Sequence, residues 1–199
     1  EDIGFCPEPV DSWTTIIDEK GVPILTNLYS DTKKYAFRFQ MMAYISRLHL
    51  LRLKIKENKY KVIISERSVQ TDRNVFAKML FDDGLIELDE YTIYNKWFHE
   101  FTDNLNLSHI IYVNADPEIC FQRILKRKRE GEIIDIDYLE RLHLYHEKWL
   151  NKCEYPVHTI QGNYDTSQKQ YATKETEWTN ECSDIINKLL ENEIGRAHV

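Results

Sequence analysis

"KVIISERSVQTDRNVFAKML", Lys61 to Leu80, is the stretch on which the fold turns. Val62, Ile63 and Ile64 are apolar on consecutive positions, as in a strand buried on both faces of a parallel sheet. The run stops at Glu66-Arg67-Ser68, and an amphipathic pattern follows with Asp72 and Arg73 in its first turn. Such a strand is expected to end in turn residues, yet here it delivers an acid and a base to a helix start. The plain reading is a capped helix, with Ser68 as N-cap and the two charges solvated.

The same strand-then-break pattern recurs along the chain. "IGFCPEPV" from Ile3 breaks at Pro7 and Pro9. "HIIYVNADPE" runs into an N-cap at Asp116 with Pro117 in the first turn, and "YPVHTIQG" is a last strand. Between them lie helical patterns. A long one starts at about Lys33, with Met41, Ile45, Leu48 and Ile55 as its apolar stripe. "SVQTDRNVFAKMLFDDG" ends near Gly84, and "LDEYTIYNKWFHEFTDNL" follows. Another pattern leaves Pro117 through "RILKRKR". "DYLERLHLYHEKWL" carries Tyr138, Leu142, Tyr145 and Trp149 on one stripe, and the last helix covers "CSDIINKLLEN". Residues 164–177 read as a polar loop, and Trp97, Phe98 and Trp149 as core. Strands alternating with helices predict an α/β fold with a parallel sheet. Ligands of such sheets bind at the carboxyl ends of the strands, where Glu8, Glu66 and Arg67 lie.

The 199 residues suffice for one domain, and the net charge of -7 gives no general basic field for nucleic acid. No apolar run is long enough to span a bilayer. Cys6, Cys120, Cys153 and Cys182 are scattered, which fits a reducing compartment better than a disulfide or zinc framework. The chain starts at Glu1, not Met. Its end, "EIGRAHV", is what GAG ATC GGA AGA GCA CAC GTC encodes, so 193–199 reads as a sequencing-adapter tail and 1–192 as the domain.

Glu8, stiffened by two prolines, suits a general base; the plain alternative is an acid in an ordinary turn. Glu66 suits Mg²⁺, directly or through water, and Arg67 suits developing phosphate charge. Arg123 and Arg127 share a helix face, with Arg129, Lys126 and Lys128 close by. In an acidic chain this cluster points to a phosphate, and Gly131 could hinge it; the alternative is a solvated basic face. Gln40, Ala43 and Arg47 form a stripe opposite the apolar one. Gln40 could read a base edge and Phe39 stack on it, although a solvent-facing stripe is the commoner outcome. His143, His146 and Glu147 do not have the zinc-protease spacing and are not read as a metal site.

In order along the chain stand "PEPVDSW", "YAFRFQMMAYISR", "ERSVQTDRNVFA", "RILKRKREGE" and "YLERLHLYHEKWL". From Pro7 to about Leu150 this set resembles the deoxynucleoside kinases: deoxycytidine, deoxyguanosine and mitochondrial thymidine kinases and insect deoxynucleoside kinase. The resemblance implies a P-loop kinase-like three-layer fold and transfer of the ATP γ-phosphate to a deoxynucleoside 5′-hydroxyl. Glu8 would then take the hydroxyl proton, Arg67 orient it, and Glu66 help hold Mg²⁺. Arg123, Arg127 and Arg129 would be lid arginines. Phe39 and Phe76 would sandwich the base, with Gln40 on its edge, Ala43 beside it and Trp13 lining the pocket. Tyr29 would hold the sugar 3′-hydroxyl with a lid acid, Glu132 or Glu130. Arg47 and Asp72 stand where deoxycytidine- and deoxyguanosine-type members carry an Arg–Asp pair, which implies that thymidine is a poor substrate.

The family's first strand and G-x-x-x-x-G-K-[ST] loop do not occur in these residues. That strand would be central, between "YKVIISE" and "HIIYVNA", so the 199 residues alone are expected to be inactive and poorly stable. The alternatives are a nucleoside monophosphate kinase, such as a thymidylate kinase, and a non-catalytic scaffold or accessory subunit. The family also implies a homodimer through long helices, and a cytoplasmic or mitochondrial location.

Overall fold

A computed structural model of the chain describes residues 2–103, 105, 107–129 and 132–196, with side chains to 191. β1 (Ile3–Cys6) pairs in parallel with β2 (Val62–Ser65), placing Ile3 opposite Val62 and Cys6 opposite Ser65. β3 (Ile110–Asn114) pairs in parallel with β4 (Val157–Gln161). The parallel α/β reading holds, but the strands form two separate two-stranded sheets, β1-β2 and β3-β4.

The helices are α1 (Val10–Thr14), α2 (Ile24–Ser30), α3 (Thr32–Lys56), α4 (Val69–Thr71), α5 (Lys78–Asp82), α6 (Leu88–Thr102), α7 (Pro117–Arg127), α8 (Ile136–Leu150) and α9 (Ala172–Arg196). Ser68 caps α4: its hydroxyl accepts from the Thr71 N–H at 3.1 Å. Between α4 and α5 the backbone widens into a π-helical turn, Asp72–Ala77. Such insertions are rare and cluster at functional sites. Gly84, at φ 66°, closes the end of α5 as its position predicts. Asp116 occupies the α7 N-cap position, but its carboxylate accepts from the Asn163 side chain at 2.8 Å instead of capping.

The largest buried cluster joins Tyr44 and Leu48 of α3, Val69, Ala77, and Tyr94 and Phe98 of α6. This corrects the expected face of α3. Its buried residues include Phe39, Gln40, Ala43, Tyr44 and Arg47, whereas Ile45 and Ile55 are 48 % exposed. Arg47 can turn inward because Asp72, Glu8 and the Glu66 carbonyl on other elements satisfy its three nitrogens. Trp97 is likewise half exposed rather than core. The stretch expected as a loop is only partly one, since α9 begins at Ala172. Its first turns are strong helix formers with a Lys174–Glu177 pair, and Trp178 packs near Tyr164. α9 continues to Arg196, beyond the Asn192 end read from sequence, and 197–199 lie outside the described residues.

Candidate active site

Glu8 and Glu66 stand just past the carboxyl ends of β1 and β2. The Glu66 N–H donates to the Cys6 carbonyl at 2.8 Å, and the Glu8 N–H donates to Glu66 Oε2 at 3.1 Å. Two strand ends are thereby tied by one carboxylate, which fixes where the Glu8 side chain starts. Arg67 follows at φ 60°, a left-handed conformation that costs any residue with a Cβ energy and that clusters at functional sites.

Two arginines converge on Glu8. Its Oε1 lies 3.1 Å from Arg47 Nη2 and 3.2 Å from Arg67 Nη1. Arg47 is only 3 % exposed and uses all three nitrogens. Nε donates to Asp72 Oδ2 at 2.9 Å, Nη1 to the Glu66 carbonyl at 2.8 Å, and Nη2 to Glu8. Burial works against its charge, but the Asp72 and Glu8 carboxylates outweigh burial and raise its pKa. Burial pushes the Asp72 carboxyl up, with Arg47 pulling it back down. Arg67 is half exposed, and its guanidinium sits 4.9 Å over the Phe76 ring.

Beside this charged end lies a buried aromatic cluster. Trp13, Phe39 and Ala43 belong to one buried cluster; the Trp13 and Phe39 rings meet edge-on at 5.2 Å. Trp13 Nε1 donates to Ser46 Oγ at 2.9 Å. Gln40, 4 % exposed, keeps its Oε1 buried with no hydrogen-bond partner among the described residues. An orphaned buried carbonyl of this kind calls for a donor. Phe39 and Phe76 do not stack on each other: Phe39 meets Trp13, while Phe76 meets Arg67 and the edge of His146.

On the far side, Arg127 donates to both oxygens of Glu132 at 2.6 and 2.7 Å. Glu132 lies against Tyr29, whose phenol is raised first by burial and then by that carboxylate. Glu132 is near enough to Tyr29 to act on its phenol, while Glu130 and Gly131 lie outside the described residues. Arg123 donates to the carbonyls of Gly162 and Tyr164 at 2.7 and 3.2 Å, and Arg129 is exposed. The structure therefore divides the three arginines: one faces the β4 end, one the Glu132 carboxylate, and one solvent.

Three residues near the site were given no part in it by the sequence reading. Ser46 holds Trp13; its position one helical turn past Ala43 was the available signal. Tyr138 is pushed up to about 12 by burial and then by Tyr29, with Arg67 acting the other way. His146 abuts Phe76, and no spacing rule flags it.

A family model described as deoxynucleoside kinase matches residues 2–187. The probable deoxycytidine kinase of fowlpox virus is 35% identical over 189 residues, covering 92% of this chain and 77% of that protein. Human deoxycytidine kinase is 34% identical over 191 residues, covering 85% and 71%. The mitochondrial deoxyguanosine kinase of Xenopus laevis is 35% identical over 167 residues, covering 74% and 63%.

Proposed function

We infer the function from one premise: the chain belongs to the deoxynucleoside kinase family, whose fold is P-loop kinase-like. It is a kinase, and its phosphate donor is a nucleotide, ATP. Its reaction is transfer of the ATP γ-phosphate to the 5′-hydroxyl of a deoxynucleoside, with deoxycytidine or purine deoxynucleosides preferred to thymidine. The observation that carries this is that Arg47, tied to Glu8 and Asp72, shares the buried face of α3 with Gln40, whose Oε1 has no partner among the described residues. A sugar 5′-hydroxyl at Glu8 would place a base amino group within the reach of Gln40.

Glu8 accepts the hydroxyl proton, and Arg67 and Arg47 hold the carboxylate in place. Arg67, half exposed on the other side, is free to turn toward phosphoryl charge. Tyr29 and Glu132 hold the 3′-hydroxyl. Phe39 and Phe76 line the two sides of the base, with Trp13 and Ala43 at its edge. Arg127 and Arg129 serve the phosphates, and Arg123 reaches them by releasing its two carbonyls. Among the described residues no three His, Cys, Asp or Glu side chains converge as a protein-built metal site. One exposed carboxylate, Glu66, fits Mg²⁺ that takes its other ligands from phosphates and water. Bound there, the ion neutralises charge on the transferring phosphate.

The Arg47–Asp72 pair supports the base preference. A buried arginine beside the base crowds a 5-methyl group, while its fixed donors favour polar edges. Offered ATP, Mg²⁺, the four deoxynucleosides and their monophosphates, the complete protein is expected to phosphorylate deoxycytidine or the purines ahead of thymidine. Phosphorylation of monophosphates alone would replace this reading with a nucleoside monophosphate kinase.

Two further proposals rest on the fold. β2 and β3 belong to different two-stranded sheets, and α9 packs against β2, where a helix cannot extend a strand ladder. Together with the missing G-x-x-x-x-G-K-[ST] loop, this supports a slot for another parallel strand. Residues 1–199 alone are expected to show no ATP-dependent phosphorylation, and robust turnover by them in a coupled assay would contradict the slot. Ile45, Leu53 and Ile55 of α3 and Ile93 and Trp97 of α6 leave large apolar surface exposed, which supports a homodimer through these helices. No described helix is long and apolar enough to cross a membrane. The cytoplasm is the proposed location, with the mitochondrion as its alternative.

A further inference from the structure

His146 has no part in the reaction as described, yet it is half-buried against Phe76, a proposed wall of the base site, and against Tyr112. Its ring meets Phe76 edge-on, with centroids 6.0 Å apart and planes at 89°. On another side it lies nearly parallel to Tyr112 of β3, at 5.8 Å and 8°. Its Nδ1 is 2.8 Å from the Leu142 carbonyl oxygen, one turn back on α8. A carbonyl only accepts, so Nδ1 carries the proton and donates, which fixes both the tautomer and the ring plane. The other face of this arrangement is Arg67, whose guanidinium lies over the same Phe76 ring and whose Nη1 reaches Glu8.

We propose that His146 is a positioning residue for nucleoside binding: its ring, wedged between Phe76 and Tyr112, sets the plane of Phe76 against Arg67 and so holds one wall of the base site. This rests on the reading of Phe76 as a base wall. The chain of contact runs from β3 through Tyr112 and His146 to Phe76, then through Arg67 to Glu8. The π-helical turn that carries Phe76 packs on α8, so the wedge has a rigid support. Without the ring, Phe76 loses an aromatic neighbour and is free to swing.

The wedge works as a neutral ring. The charged groups around it are Arg67 from the end of β2 and His143 and Glu147 on α8 itself; Tyr112 faces it from β3, and Phe76 from the π-helical turn is uncharged. Burial first, and Arg67 and His143 after it, hold the imidazole below its ordinary 6.5, against the Leu142 carbonyl and Glu147. The folded pKa is depressed, so the neutral form and its stabilising contribution persist above 6.5 and are lost as pH falls through the folded value. Protonation then sets a second cation beside Arg67 and loosens the wall.

The test uses the complete protein, with deoxycytidine affinity measured by calorimetry and kcat measured separately. His146→Asn keeps a donor for Leu142 but removes the ring; His146→Phe keeps the ring and removes the titration. His146→Asn is expected to weaken deoxycytidine binding about tenfold, the scale of one to two aromatic contacts, with ATP affinity unchanged. His146→Phe is expected to bind nearly as the wild type and to lose the weakening expected of the wild type as pH falls through the depressed imidazole pKa, below the ordinary 6.5. Wild-type affinity in His146→Asn, equal loss in both variants, or an acid limb that persists in His146→Phe would overturn the proposal. If His146→Asn does not fold, the His146→Phe affinity and pH profile decide alone. A wild-type protein that binds no nucleoside overturns the base-site reading and this proposal together; a wild type that binds while the variants behave alike overturns this one only.

Discussion

Glu8→Gln lowers kcat by about 10²–10⁴-fold, the usual contribution of a positioned general base, and leaves deoxynucleoside affinity nearly unchanged. The substitution keeps the shape of the side chain and removes its ability to take a proton. It leaves the local scaffold standing, because the Glu8 N–H stays bonded to Glu66 Oε2 and Arg47 keeps Asp72 and the Glu66 carbonyl. What is lost is a carboxylate held between two guanidiniums at 3.1 and 3.2 Å. Phosphoryl transfer rests mostly on positioning and charge stabilisation, so a misaligned hydroxyl adds to the loss of the base. Steady-state kinetics with each substrate varied separate the two effects. Retention of kcat within about threefold, far below the contribution of a general base, would move the base away from Glu8.

Asp72→Ala destabilises the fold by about 3–5 kcal/mol, the range for removing one partner of a buried ion pair. Asp72 is 2 % exposed and Arg47 3 %, so no water replaces the lost carboxylate. Glu8 and the Glu66 carbonyl still hold two of the Arg47 nitrogens, which puts the expected loss at the lower end of the range. Removing both charges at once, as Arg47→Leu with Asp72→Val, recovers most of that stability, because the remaining Glu8 carboxylate keeps Arg67 as its partner. The double variant also opens the space that excludes a 5-methyl group, so thymidine gains relative to deoxycytidine. Urea unfolding reads the first effect and paired kcat/KM values the second. A single variant as stable as the wild type would show that the pair is not coupled.

The Lys61–Leu80 stretch announced its strand, Glu66-Arg67 at its end and Ser68 as the cap, although the strand is only half-buried and the helix is broken by the π-helical turn. The Asp116-Pro117 helix start was equally legible. What sequence could not show depends on partners far along the chain. Apolar spacing pointed α3 inward through Ile45 and Ile55, but the buried face carries Gln40 and Arg47. Arg47 is buried because Glu8, 39 positions away, and Asp72, 25 positions away, neutralise it. The π-helical turn that aims Phe76 leaves no periodic signature, since it shifts the register only once. His146 reads as packing on α8 until Phe76 and Tyr112 arrive from other elements. Candidate residues were found where backbone chemistry advertised them, at strand ends and caps. The supports behind them emerged only from packing.

The claim that Glu8 and Gln40 mark the two ends of one deoxynucleoside site is tested most directly by a crystal structure of the complete protein with deoxycytidine. The expected result places the 5′-oxygen within hydrogen-bond distance of a Glu8 carboxylate oxygen, with a base donor on Gln40 Oε1 and the ring between Phe39 and Phe76. A nucleoside bound elsewhere, or bound with its 5′-oxygen turned away from Glu8, would contradict the account.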